Sequence, residues 1–257
     1  MDFLQPPQQV SEVLAIAQIK AKLSTKALIL RGMLAGMALG FAILFAWACA
    51  GESASPAVAA LVFPSGFAVI TLLALELVTG NFAIVLFGFR AGSVTRQELL
   101  RNWSWSMVGN ALGSVLMVGL VGFVFSQQTD ASYSLLANKL LTSAEMKTVA
   151  FASMGPAGWL LVLVKAILCG ILVGLASFLG LSSMSSFGRL VSVWFPIAMF
   201  FALGFEHLVV NMFVIPAGML LGAHVSIGTM LIWNLMPVLL GNLVGAAGVA
   251  LALKPPQ

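Results

Sequence analysis

Three ionisable residues fall where ionisable residues are expensive. Glu76 lies in Glu76-Leu77-Val78-Thr79-Gly80-Asn81, and Glu206 and His207 lie in Gly204-Phe205-Glu206-His207-Leu208-Val209-Val210-Asn211, both inside long apolar stretches. Burying such a group at membrane depth costs at least ~2.5–3.5 kcal/mol on insertion scales, so each is expected to line a cavity or to be hydrogen-bonded there. Histidine titrates close to physiological pH and can share or relay a proton. Glu206 and His207 could also serve an enzyme as acid and base, but no nucleophile partner, metal cluster or cofactor motif accompanies them. The two cysteines, Cys49 and Cys169, stand in apolar runs without metal or disulfide spacing. These residues therefore suit the handling of a small solute and its proton, with no catalytic residue, metal or cofactor.

The same local pattern is written twice. Phe63-Pro64 matches Phe195-Pro196, Glu76-x-x-x-x-Asn81 matches Glu206-x-x-x-x-Asn211, and Gly109-Asn110-x-x-Gly113 matches Gly241-Asn242-x-x-Gly245, at separations of 132, 130 and 132 residues. Near-constant separation in constant order marks an internal repeat. Gly80 is expected to take a positive φ where the first interrupted helix stops. Asn81 and Asn211 are expected to cap the half-helices that follow, leaving N–H groups and a positive dipole end free to attract an anion. Glu76 and Glu206 either face the solute or, more simply, accept hydrogen bonds from the broken helix of each half. His207 differs, because Leu77 stands at the equivalent step of the first repeat. A residue that breaks an internal symmetry at the site is a candidate for the chemistry.

The elements that position these residues follow from composition. Of 257 residues, 61% are hydrophobic and 8% charged, far from the roughly 25% charged residues of soluble domains. Apolar stretches run over about 27–50, 57–89, 99–125, 159–181, 190–221 and 226–253, six in all, each span needing about 20 residues. The expected fold is all-α and integral to a membrane, with interrupted second and fifth spans. Three spans per half is an odd number, so the halves, about 27–126 and 159–253, must be inverted relative to each other around a site near the midplane. Residues 1–26 read as a cytoplasmic amphipathic segment, with Val10, Val13, Leu14 and Ala17 at helical spacing, ahead of a single membrane domain over 27–253. Lys20, Lys22, Lys26, Arg31, Arg90, Arg96, Arg101, Arg189 and Lys254 sort to one face, against Lys139 and Lys147 on the other. That bias places both termini in the cytoplasm. The net charge of +4 reflects this orientation rather than nucleic-acid binding, since no basic face with interleaved aromatics exists.

At these residues the chain resembles the formate/nitrite transporter family. The resemblance rests on Glu76-Leu77-Val78-Thr79-Gly80-Asn81, Asn102-Trp103, Gly109-Asn110, Gly204-Phe205-Glu206-His207, Asn211-Met212-Phe213-x-Ile215-Pro216 and Asn234-Leu235-x-Pro237-Val238-x-x-Gly241-Asn242, and covers about residues 27–253. It implies an aquaporin-like protomer, a homopentamer in the inner or plasma membrane, and a substrate path through each protomer. It further implies one apolar constriction formed by Phe63 and Phe67, another by Phe200, His207 and Thr79 between them, and Asn211 nearby. The steps Gly32–Gly36, Gly36–Gly40 and Gly109–Gly113 permit close helix packing. Three departures stand out. Val78 replaces a frequent aromatic, which would widen or soften the loop beside Thr79. Gly170 replaces a frequent asparagine that helps hold the loops. The vestibule lysine is either Lys147 or Lys165, the latter also suited to snorkelling from the fourth span.

A dry phenylalanine constriction excludes an isolated anion, whose burial costs tens of kcal/mol in a low dielectric. Protonating a carboxylate of pKa near 4 at neutral pH costs only roughly 4 kcal/mol. The expected mechanism gathers a small monovalent anion, formate or nitrite first, at half-helix ends and a lysine. His207 then assists its protonation, and the neutral acid crosses. Acetate, lactate, bicarbonate and hydrosulfide would meet the same groups. An aquaporin-type neutral-solute channel is the rival, although the paired Asn-Pro-Ala motifs of that class are absent.

Overall fold

Every element that places the polar residues is a helix. The structure, a computed structural model, describes residues 3–52, 55–128 and 130–253. Lys254, counted above with the basic face, lies outside the described residues, as do Met1 and Asp2 of the N-terminal segment. Helix α1 spans Pro6–Lys22, α2 Thr25–Ala50, α3 Pro56–Val62, α4 Ser65–Leu72, α5 Val78–Arg90, α6 Arg96–Gln127, α7 Ala131–Met146, α8 Val149–Ser153 and α9 Pro156–Leu179. The second half continues with α10 Ser186–Ala202, α11 Leu208–Leu220, α12 Ile227–Met230, a π-helical turn Leu231–Leu235, and α13 Met236–Ala252.

Four helical stretches are long and apolar enough to cross a membrane: Thr25–Ala50, Arg96–Gln127, Pro156–Leu179 and Ile227–Ala252. The other two spans are broken, as the interruptions in the sequence predict. One runs α3, α4, α5 and the other α10, α11, with non-helical backbone between Leu72 and Val78 and between Ala202 and Leu208. Non-helical backbone at membrane depth survives only where protein satisfies its polar groups, and both breaks are satisfied in the same way. Leu75 N–H donates to Ile70 O (2.9 Å) and Phe205 N–H to Phe200 O (3.0 Å), the six-to-one bond of a Schellman ending. The left-handed residue this ending requires is Gly204 in the second half (φ 62°) and Ala74 in the first (φ 49°). The sequence expectation of a positive φ at Gly80 is therefore corrected. Gly80 lies within α5, and its glycine serves a close approach, since a Cβ there would sit 2.9 Å from Ser177 Oγ.

Small residues set the helix spacing on both sides. Gly32 and Gly109 bring α2 against α6 so closely that a Cβ on Gly32 would lie 3.0 Å from Gly109 Cα. In the second half, α9 packs along α13, and a Cβ on Gly170 would lie 2.5 Å from the Asn242 carbonyl oxygen. A side chain at position 170 has no room at this helix spacing, so the family asparagine could not be accommodated without moving α13. Val78 is fully buried, and its N–H is held by Asn110 Oδ1 at 2.9 Å.

The connection between the halves is itself helical, with α7 packed on α11. Basic groups gather as the charge bias predicts. Arg101 donates to Ala21 O, Arg90 to Leu251 O and Lys20 to Glu76, which brings α1, the start of α6 and the ends of α5 and α13 to one face. Lys139 reaches Gly51 O at the end of α2, on the opposite face.

Candidate functional site

The two breaks meet at one polar contact. His207 Nε2 lies 2.9 Å from Thr79 Oγ1, and both side chains are buried. His207 is the residue that caps α11, its Nδ1 accepting from Val210 N–H at 3.3 Å. With Nδ1 occupied as acceptor, the ring hydrogen belongs on Nε2. Nε2–H then donates to Thr79, whose hydroxyl hydrogen stays available to a solute. Phenylalanines close around this pair. Phe200 stacks on the imidazole at 5.6 Å and Phe67 meets it edge-on at 5.9 Å.

The constrictions differ from the expected division of Phe63 and Phe67 against Phe200. Phe63 lies 5.6 Å from Phe200 and 6.4 Å from Phe67, and Phe67 lies 6.1 Å from Phe200, so the rings form one contiguous cluster. Phe201, which the sequence reading does not single out, stacks on Phe63 at 4.4 Å. Consecutive phenylalanines at the end of an interrupted apolar stretch were the available signal. Phe67 also lines a pocket of about 140 Å³ that reaches Lys20, Gly80 and Asn81, so its ring borders both that pocket and His207.

The remaining polar residues form two matched frameworks. Asn110 accepts from Val78 N–H and donates to Gly32 O (2.9 Å) and Glu76 O (2.8 Å). Asn242 accepts from Leu208 N–H and donates to Ala166 O and Glu206 O, each at 2.9 Å. These asparagines tether the helix starts, and the N-cap positions belong to Leu77 and His207. The expectation that Asn81 and Asn211 cap the half-helices is thus corrected. Each lies in the first turns and donates backward to a carboxylate, Asn81 to Glu76 Oε2 (2.8 Å) and Asn211 to Glu206 Oε2 (2.7 Å).

Each carboxylate thus accepts from a side chain of its own broken helix, as expected, and a lysine from elsewhere in the chain completes the anchor. Lys20 Nζ meets Glu76 Oε1 and Lys147 Nζ meets Glu206 Oε2, each at 2.8 Å. Asn211 also donates to Asn234 Oδ1 at 2.8 Å, so its amide nitrogen works in this framework. Lys165 Nζ lies 5.6 Å from the Phe151 ring centroid; of the two candidate lysines, Lys147 is the one paired with Glu206. Lys20 was not singled out, although a lysine ahead of Glu76 is what the repeat requires once Lys147 is set opposite Glu206. Among the described residues, no group of three or more His, Cys, Asp or Glu side chains converges on a point.

Comparison with known proteins matches this arrangement to one family. The formate/nitrite transporter family model matches residues 7–254. A probable formate transporter of Methanothermobacter thermautotrophicus is 34% identical over 260 residues, covering 95% of this chain and 93% of its own length. The chain belongs to the formate/nitrite transporter family. Transporters of this family are membrane proteins and not enzymes. Two solved structures share the fold: an FNT family ion channel (TM-score 0.79, 22% identity, 95% of this chain and 96% of that one) and a pentameric formate channel with formate bound (TM-score 0.72, 24% identity, 89% and 95%).

Proposed function

We propose that this protein is a channel for a small monovalent anion, formate or nitrite first, which crosses the centre of each protomer as its neutral acid. The observation that carries this reading is the buried Thr79–His207 contact, the one polar pair joining the two broken helices, enclosed by Phe67 and Phe200. A bare anion among those rings lacks the hydration it needs, whereas a neutral acid can accept from the Thr79 hydroxyl and pass. Lys20 and Lys147, one on each side of the centre, are each paired with a buried glutamate, so an anion is drawn by the half-helix starts and their dipoles. The proton reaches the solute on the polar side of the ring cluster, with the His207–Thr79 pair aligning the acid. Support for a formate-type solute comes from relatives named as formate transporters and channels. A homopentamer with one path per protomer is supported by the pentameric neighbour of the same fold. The charge bias supports a cytoplasmic location for both termini in the plasma or inner membrane.

The test is uptake of labelled formate into liposomes carrying the purified protein. Flux at fixed total formate should rise about tenfold for each unit fall in pH while the acid form is scarce, and nitrite, acetate, lactate, bicarbonate and hydrosulfide, added as competitors, should rank the physiological substrate. Flux that ignores pH would overturn the neutral-acid route. Water conduction in stopped flow that exceeds formate flux would favour a neutral-solute channel.

A further inference from the structure

The pocket below Phe67 holds two basic side chains of different standing. Lys20 is closely paired, its ammonium 2.8 Å from the buried Glu76 carboxylate. Arg189, on α10, also lines the pocket, together with Thr71, Asn81 and Ser177. Its Nε donates to Ser183 O at 2.8 Å, which fixes the guanidinium plane. Among the described residues its carboxylate partner is Glu12 of α1, at 3.6 Å, with both side chains about one-third exposed (27% and 31%). An ion pair of that length and exposure is worth little, and a guanidinium held by one nitrogen keeps further N–H donors in a fork that fits a carboxylate or nitrite. No counterpart exists in the other half, where the α3 start carries Pro56 and Ala57.

Glu12, Ile16 and Lys20 follow at intervals of four on α1, so they form one stripe of the helix, and Ile16 and Lys20 both line the pocket. Glu12 is therefore placed beside the same space as the anion that Arg189 would receive. We infer that Arg189 is an anion-binding residue of the pocket on the α1 face, and that Glu12 is an internal competitor that sets its affinity. The assignment rests on the transport reading above. It makes the two mouths unequal: on the α1 face a loosely paired arginine adds a capture step before the solute reaches Phe67, whereas Lys147 on the other face is held by Glu206.

Formate uptake into liposomes, measured from each face with orientation assigned by protease access to the N-terminus, tests this directly. Arg189→Gln should raise the half-saturating formate concentration about tenfold from the α1 face only, and Arg189→Lys should recover part of it. Glu12→Gln should lower that concentration a few-fold from the same face. Half-saturation unchanged in Arg189→Gln, or turnover reduced equally from both faces at constant half-saturation, would mark a structural arginine and overturn the assignment. If Arg189→Gln does not fold, Glu12→Gln decides alone: no change in half-saturation overturns the competition. Absence of formate flux in the unmodified protein would instead defeat the transport reading itself.

Discussion

The break before α5 and the break before α11 are assembled from the same parts and finish differently. Each has a Schellman ending, an asparagine tether on the following long helix, and a Lys–Glu pair with an amide five residues beyond the glutamate. Yet α5 is capped by Leu77, which offers no side-chain bond, and α11 by His207, which does. Phe63 is buried in the ring cluster while its repeat partner Phe195 is exposed. Asn102 in regular α6 and its partner Asn234 in a π-helical turn do the same work despite that difference, their amides donating to Lys20 O at 3.0 Å and to Lys147 O at 2.8 Å. The duplicated parts hold backbone open inside a membrane, and the parts that are not duplicated are the ones that the proposed route assigns to the solute.

Four experiments press on that division. The largest effect is expected from the tethers. Asn110→Leu and Asn242→Leu each orphan a buried N–H and the carbonyl of the glutamate two residues before it, for a loss of about 4 kcal/mol, read as thermal unfolding of the purified protein; a mutant of one tether that melts normally would break the equivalence of the halves. His207→Leu should reduce formate flux at least about 100-fold, roughly 2.7 kcal/mol, at every pH. Its cost in stability should be near the ~1 kcal/mol of a lost cap, and flux that survives at the unmodified rate would remove His207 from the transport step. Thr79→Val should slow flux about tenfold, roughly 1.4 kcal/mol, with Thr79→Ser restoring it, because only the hydroxyl is used.

The smallest effect separates the two Schellman endings. Ala74 carries a Cβ at φ 49° and Gly204 none at φ 62°. Ala74→Gly should therefore stabilise by about 1 kcal/mol and Gly204→Ala destabilise by a similar amount. Equal shifts of the same sign in a thermal melt would contradict the left-handed assignment at one of them.

Much of this was legible before any coordinates. The cost of ionisable groups in apolar sequence located the site at Glu76, Glu206 and His207, and the near-constant repeat separation identified Asn110 and Asn242 as partners without saying of what. Local rules failed where the deciding neighbour was distant in sequence. Asn81 and Asn211 have the residue type of N-caps, but α5 and α11 begin earlier because Asn110 and Asn242 take their first N–H groups. Gly80 looked like a conformational glycine, and the requirement it meets comes from Ser177 of α9.

By itself the sequence determined six apolar spans, two of them interrupted, an inverted duplication, and a single histidine that departs from it. Those follow from hydropathy, periodicity and the price of burying charge, all of which act along the chain. Only the tertiary structure decided that His207 meets Thr79, that Phe63, Phe67, Phe200 and Phe201 form one cluster, and that Lys20 pairs with Glu76. Each of these joins residues from different helices, and which helices touch is fixed by the close approaches that small residues allow.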